Sequence, residues 1–472
     1  MIRIAFTLLI SVALLSGAAA HAQALLEPAP QPQAAPTVDA EAIKRATNVP
    51  ALVAQGQRYA QAGDWAGYTT VLDRLIELRP FVGTLRYELA AAYAMQDMKS
   101  EGYDQLVRLQ GSGYAYDVTT DERFAKLHGT ELWTYLVENL ARNAQQFGPG
   151  KVVATLPKGD HLYESVAWDP KSERFLVGSA RSGAIVRIAA DGKPEPFIEP
   201  NVENGLWGVF DLVADPARDA LWVASGATVI SPHALPEDYG RSGLFRFRLS
   251  DGKFVSRTLL PADGKNHLLT ALAVTPQGLV FAIDSVTNRV LKLEGNGFRV
   301  VVQNPMLEKL RALAATDDGK TLYFSDYELG LFGIDLASGR GFDVLANAKV
   351  TLEAIERMAW YQGHLIALQN GFPPNRVMRF AMSPDHRKVL ANQGLDASQK
   401  AWSAPTGGTL AGDRFVFIAD SQRGALDGYG NVKDPALLTP VELWGSDARL
   451  AWNVLVDDDA VAAGKQQPEQ SQ

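Results

Sequence analysis

The chain has no cysteine among its 472 residues. That excludes disulfides, thiolate nucleophiles and thiolate metal sites, and a lipid-anchored start that would need a cysteine. It lacks an excess of positive charge. Formal net charge is −8, with 45 Lys and Arg against 53 Asp and Glu, which argues against an electrostatic nucleic-acid surface. It also lacks long apolar runs. The longest lies at the N-terminus, where Arg3 is followed by Ile4 to Leu15 and then by Ala20-His21-Ala22. The run is too short to span a bilayer. A charged start, an apolar run and an A-x-A site read as a secretory signal peptide over residues 1–22, removed near Ala22. The expected location is periplasmic or secreted, with no membrane span. No G-x-S-x-G elbow and no H-E-x-x-H motif occurs. Asp318-Gly319-Lys320-Thr321 imitates the end of a phosphate loop but has Ala at 314 where the earlier glycine would stand, so it reads as a hairpin turn.

What is present divides the chain in two. Residues 23–38 are rich in Ala, Pro and Gln and read as a linker. From 39 to 147 the apolar period is helical. Gly56, Tyr59, Gly63 and Pro80 fall at the offsets of a tetratricopeptide repeat, and Tyr93 follows Tyr59 by 34 residues, the length of that repeat. Such repeats stack into a surface that holds a protein partner.

From 151 to 456 a different unit recurs. An aliphatic-Ala phrase begins at Glu164, Phe210, Thr270, Arg311, Glu356 and Gly408, at spacings of 46, 60, 41, 45 and 52 residues. Each is followed by a turn and a second apolar strand. Dipeptides such as Asp191-Gly192, Asp251-Gly252 and Ser338-Gly339 mark the later turns. The expected architecture is multi-domain, α and all-β: a short tetratricopeptide-like helical domain followed by a six-bladed β-propeller. Lys151–Leu156 is a strand left over before the first phrase, so it should complete blade 6 and remove the open edge. Residues 457–472, acidic and Gln-rich, read as a disordered tail.

Strand parity places the first residue of each phrase in one ring at the mouth of the axis. After the second strands come Asp284-Ser285, Asp326-Tyr327, Gln369-Asn370 and Asp420-Ser421. Two long loops, Ser231–Arg241 and Arg423–Leu438, flank blade 1 and should overhang Glu164. His161 and His267 precede two of the phrases by three residues each, within reach of the mouth as bases or as plain hydrogen-bonded histidines.

Glu164 with Trp168 four residues on, and the run Asp317-Asp318-Gly319-Lys320-Thr321-Leu322-Tyr323-Phe324-Ser325-Asp326, resemble the senescence-marker-protein/gluconolactonase/luciferin-regenerating family. NHL-repeat and strictosidine-synthase-like propellers share much of this pattern. The resemblance covers the propeller only. It implies six blades with one divalent metal at the axis that activates water to open lactones. The family's blade-1 Glu ligand falls on Glu164, and its blade-5 Asp, ligand and base, falls on Glu356. Its two Asn positions fall on Thr270 and Arg311, and a substrate-binding Arg falls on Leu268. A guanidinium has donors and no acceptor, so it cannot ligate a metal. A divalent ion about 4 Å from it would be repelled by about 8 kcal/mol at an effective dielectric near 20.

The expectation is therefore that Arg311 replaces the metal's charge and pairs with Glu164, Glu356 or both. Glu164, Arg311, Glu356, Thr270, Asp284 and Asp326 are the candidate ligand-binding residues. They would serve a small polar or anionic ligand in a binding module that holds a protein partner through its helices. The alternative is a gluconolactonase-type lactone or ester hydrolase with Glu356 as base. There, Glu164 and Glu356 would hold Ca, Zn or Mn. A structural scaffold is the third reading. Whether the chain is an enzyme stays open at this level.

Overall fold

The computed structural model describes residues 38–449, apart from 190 and 348, together with the backbone of Leu455–Val456. The signal-peptide segment 1–22, the linker up to residue 37 and the tail 457–472 lie outside the described residues.

Among the described residues the N-terminal region holds six α-helices: α1 (Ala40–Arg45), α2 (Val49–Gln61), α3 (Trp65–Leu78), α4 (Gly83–Met95), α5 (Lys99–Gly111) and α6 (Glu131–Asn143). A 3₁₀ helix, Glu122–Leu127, precedes the last. Side-chain caps set several of the starts. Asn48 accepts from Ala51 N at 3.0 Å, Asp64 from Gly67 N at 2.9 Å and Thr130 from Trp133 N at 3.1 Å. Helices α2 and α3 form a tight hairpin around the fully buried Tyr59. Gly67 lets the Tyr59 ring lie against the helix, since a Cβ there would sit 2.8 Å from that ring. Leu52, Val71, Leu72, Leu75 and Leu89 close the core around them.

The rest is a six-bladed propeller. Each blade is an antiparallel sheet of at least four strands. The inner strands are Tyr163–Asp169, Gly208–Asp215, Leu269–Val274, Leu310–Ala315, Ile355–Tyr361 and Thr406–Ala411. Lys151–Leu156 pairs with Val441–Asp447, so the first strand of the propeller is the outer strand of blade 6. The ring is closed by chain ends from opposite sides of the sequence, which leaves no open blade. Leu455–Val456 adds a short fifth strand to blade 5. Neighbouring blades bury apolar faces against each other, as where Leu212, Val223 and Phe245 meet Ala167 and Leu176.

The helices rest on the loops of blades 4 and 5. Arg79 bonds Glu308 at 3.0 Å and Glu328 at 3.1 Å. The Arg376 guanidinium donates to the carbonyls of Ser112 and Gly113 at 3.2 Å each and covers the Phe372 ring at 5.0 Å. Tyr114, Phe372, Ala354 and Tyr327 belong to one apolar cluster that crosses the junction. The loops that carry these contacts lie at the end where the inner strands begin, the same end as the predicted mouth.

Candidate functional site: the mouth of the propeller axis

One backbone device recurs in every inner strand. The pairing of inner with second strand slips once, near the inner strand's start. It slips between Tyr163 and Ser165, Val209 and Asp211, Leu269 and Ala271, and Ile355 and Arg357. In blades 4 and 6 it slips between Leu310 and Leu313 and between Thr406 and Thr409. The residues left unpaired by these bulges include Glu164, Phe210, Thr270, Arg311, Glu356 and Gly408, the six ring positions. A bulge re-aims the residue it frees and lifts its carbonyl out of the ladder. Repeated six times, it builds the mouth.

Around that ring each side chain has a specific partner. The Glu164 carboxylate is buried, and its Oε1 accepts from Arg423 Nε at 2.8 Å. Glu356 Oε1 accepts from Thr406 Oγ1 at 3.3 Å. Arg311 lies over the Tyr327 ring at 5.6 Å, and Tyr327 in turn donates to Asn370 Oδ1 at 2.6 Å. The expected pairing of Arg311 with Glu164, Glu356 or both is therefore corrected: among the described residues Glu164 is taken by Arg423, and Glu356 accepts from Thr406 with no ion pair to Arg311. The reason is reach. Arg423 descends from the long blade-6 loop beside blade 1, whereas Arg311 starts on the opposite side of the axis.

Two buried polar atoms of the ring have no hydrogen-bond partner: Arg311 Nε and Thr270 Oγ1, in adjacent blades. Phe210 is covered by Leu162 and Ala180 with Ile230, Leu268 and Leu426. The last three bring both long loops and the Leu268 position into the mouth wall. The loops meet over blade 1 as expected. Arg181 Nη1 donates to the carbonyls of Ile230, at 3.2 Å, and of Gly430, while its Nε pairs with Asp160 at 2.7 Å.

Asp284 and Asp326 end the second strands of blades 3 and 4 and are taken up there by local hydrogen bonds. Asp284 accepts from His267 Nδ1 at 2.6 Å, Thr287 Oγ1 at 2.6 Å and Leu268 N at 3.1 Å. Asp326 accepts from the N–H groups of Glu308, Lys309, Glu328 and Leu329 at 2.9–3.0 Å. His267 is held between Asp284 and Asp263. Burial opposes its charge, but the two carboxylates outweigh it and raise its pKa. It braces the blade. His161 stacks on Tyr163 at 5.1 Å, and Tyr163 is core.

Sequence reading missed two parts of the mouth. Arg423 is one, because nothing in a long loop says where its side chain returns. The other is Arg357, which fills the axis just below the ring with Asp211 facing it at 4.0 Å. Beyond it the far end of the axis opens into a cavity of about 440 Å³ lined by groups such as Trp168, Leu212, Leu272, Leu313, Met358 and Leu410.

The donors do not fit a divalent metal. Among the described residues no three His, Asp or Glu side chains come together as a metal site. One carboxylate of the ring is engaged by a guanidinium, a second guanidinium is itself a member of the ring, and a third lies on the axis.

Fold and mouth together define a six-bladed propeller whose axis opens on a mixed carboxylate and guanidinium ring. No family model and no curated protein matches the sequence. Solved structures similar to it include a luciferin-regenerating enzyme, 12% identical, with 66% of this chain and 97% of that chain covered and a TM-score of 0.43. A gluconolactonase from Xanthomonas campestris is 13% identical over 65% of this chain and 92% of that one, with a TM-score of 0.43. A calcium-binding regucalcin from Agrobacterium tumefaciens is 13% identical over 63% and 98%, with a TM-score of 0.41.

Proposed function

We infer that this is an exported binding protein whose propeller mouth takes a small ligand bearing a carboxylate or similar oxyanion, while the repeat-like helical region holds a protein partner. One observation carries the ligand reading: Arg311 presents a buried Nε with no partner, and the Thr270 hydroxyl on the adjacent blade is unpaired as well. A buried charged donor left unpaired costs more than a neutral one, and a planar guanidinium is suited to a planar oxyanion. Glu164 does not compete for it, because Arg423 already neutralises that carboxylate.

The test is titration calorimetry of the mature protein against small mono- and dicarboxylates. Arg311→Gln is expected to weaken binding about 10- to 100-fold, the equivalent of one charge-assisted pair, with the melting temperature held. If Arg311→Gln instead stabilises the fold and no carboxylate binds, the ring is a structural plug and the ligand reading fails. The hydrolase alternative has its own readout. Titration with Ca²⁺, Zn²⁺ and Mn²⁺ is expected to show no micromolar site; one that is lost in Glu164→Ala would reinstate the metal and Glu356 as base.

Export rests on the signal-like segment 1–22. Among the described residues, no helix is long and apolar enough to cross a membrane.

A further inference from the structure

The position after each bulge residue reads Ser165, Asp211, Ala271, Ala312, Arg357 and, in blade 6, Thr409. Only one of these side chains is long. Blades 2 and 5 are three apart in a ring of six, so Asp211 and Arg357 face each other across the axis. Arg357 is 8% exposed. Its Nη2 donates to the carbonyls of Thr270 at 3.1 Å and Phe210 at 3.5 Å. Its Nη1 donates to those of Arg311 at 3.3 Å and Glu356 at 3.4 Å.

These acceptors are the backbone carbonyls of four successive ring residues, which the bulges have freed from their ladders. Four carbonyl oxygens and one carboxylate thus converge on a single cationic group. A calcium ion needs its oxygens at about 2.3–2.6 Å. Oxygens set to receive N–H donors at 3.1–3.5 Å surround a larger, flatter and more weakly hydrated ion.

We propose that the freed carbonyls of blades 2–5 and the Asp211 carboxylate form a cation-binding cradle on the propeller axis, specific for a planar guanidinium and filled in this chain by its own Arg357. The cradle is distinct from the mouth ligand site, since it uses backbone oxygens below the ring and none of the ring side chains. It keeps a positive charge on the axis, where it repels metal ions and favours an anion in the mouth above.

Chemical rescue tests this. In the full chain, Arg357→Ala is expected to lower the melting temperature by about 5–10 °C, because the buried Asp211 carboxylate keeps its bond from Leu272 N at 2.7 Å but loses the cation that faces it. Guanidinium chloride at millimolar concentration should recover part of that loss, saturably, in the variant and not in the wild type. Urea has the same planar shape without the charge and should not rescue, nor should sodium chloride at equal ionic strength. Adding Asp211→Asn should abolish the rescue. Equal rescue by urea, or none in a folded variant, overturns the proposal; stabilisation by Ca²⁺ in place of guanidinium overturns its size argument. Should the alanine variant not fold, Arg357→Met keeps the volume without the charge. The same guanidinium-specific rise is expected there, and wild-type stability without such a response overturns the cradle.

Discussion

Three arginines of the mouth show how little residue type says and how much position does. Arg423 neutralises Glu164, Arg357 occupies the axis, and Arg311 rests on an aromatic ring with Nε unpaired. Asp284 and Asp326, which the sequence places near the mouth, hold loops instead. Asp326→Ala strips a carboxylate acceptor from four N–H groups, each a charge-assisted bond worth about 1.5–3 kcal/mol where the freed N–H finds no water. We expect it to destabilise the protein by about 2–4 kcal/mol in thermal melts and leave carboxylate binding unchanged in titrations. A loss of ligand affinity at full stability would move Asp326 into the site. Glu164 was legible because every phrase begins at a ring position. Its partner was not, because a loop of this length can return a side chain to many places. Arg357 was legible in principle: opposite charges stand at matched positions three repeats apart.

At the scale of elements, the repeated bulge decides what faces the axis. Blade 6 shows its steric limit. A Cβ at Gly408 would lie 2.6 Å from the Phe415 ring and 3.4 Å from Arg357 Cβ. Gly408→Val is expected to cost about 1–3 kcal/mol by overpacking, read as a lower denaturation midpoint. A neutral result would mean that the blade-6 strand shifts freely and that the ring is not fixed there. The two long loops form a second element-scale device, tied together by Arg181. Arg181→Ala should raise the rate of limited proteolysis within 231–241 and 423–438 by about ten-fold, equivalent to about 1.4 kcal/mol of local opening, with little change in global melting. Unchanged cleavage would show that the apolar contacts of Ile230 and Leu426 with Phe210 hold the loops by themselves.

For the whole molecule, the junction of helices and propeller is the feature that matters most. Val82 offers no side-chain cap to α4. The cap comes from blade 5: the Glu353 carboxylate accepts from Gly83 N at 3.1 Å and from the Tyr114 hydroxyl at 2.8 Å. Burial, only partly offset by those bonds and by nearby Arg376, pushes the Glu353 pKa up to about 7. Asp396, which accepts from Gly150 N at 2.7 Å where the chain enters the propeller, is pushed up to about 6, again mainly by burial. Both groups hold a proton more tightly folded than unfolded. Their contribution to stability is therefore full below the ordinary carboxylate range and is lost progressively as the pH rises from there to about 6 for Asp396 and about 7 for Glu353. Melting temperature is expected to fall over that window. Glu353→Gln should flatten the part of the fall nearest pH 7. An unchanged profile in that variant would assign the effect elsewhere.

The sequence by itself determined the order of domains, the blade count and the identity of the ring. These rest on local periodicity, which survives in one dimension: a strand pattern repeated six times, and a helical pattern before it. It also determined that the first strand completes the last blade, because one strand was left over before the first phrase and had to close the ring. Only the tertiary structure decided which charges meet. Glu164 finds Arg423 at a separation of 259 residues, Asp211 finds Arg357, and Gly83 finds Glu353 at a separation of 270. Closure of a ring brings distant residues within a few ångströms, and burial there decides which pairs form. Only the Asp211–Arg357 pair leaves a trace in the spacing, as opposite charges three repeats apart.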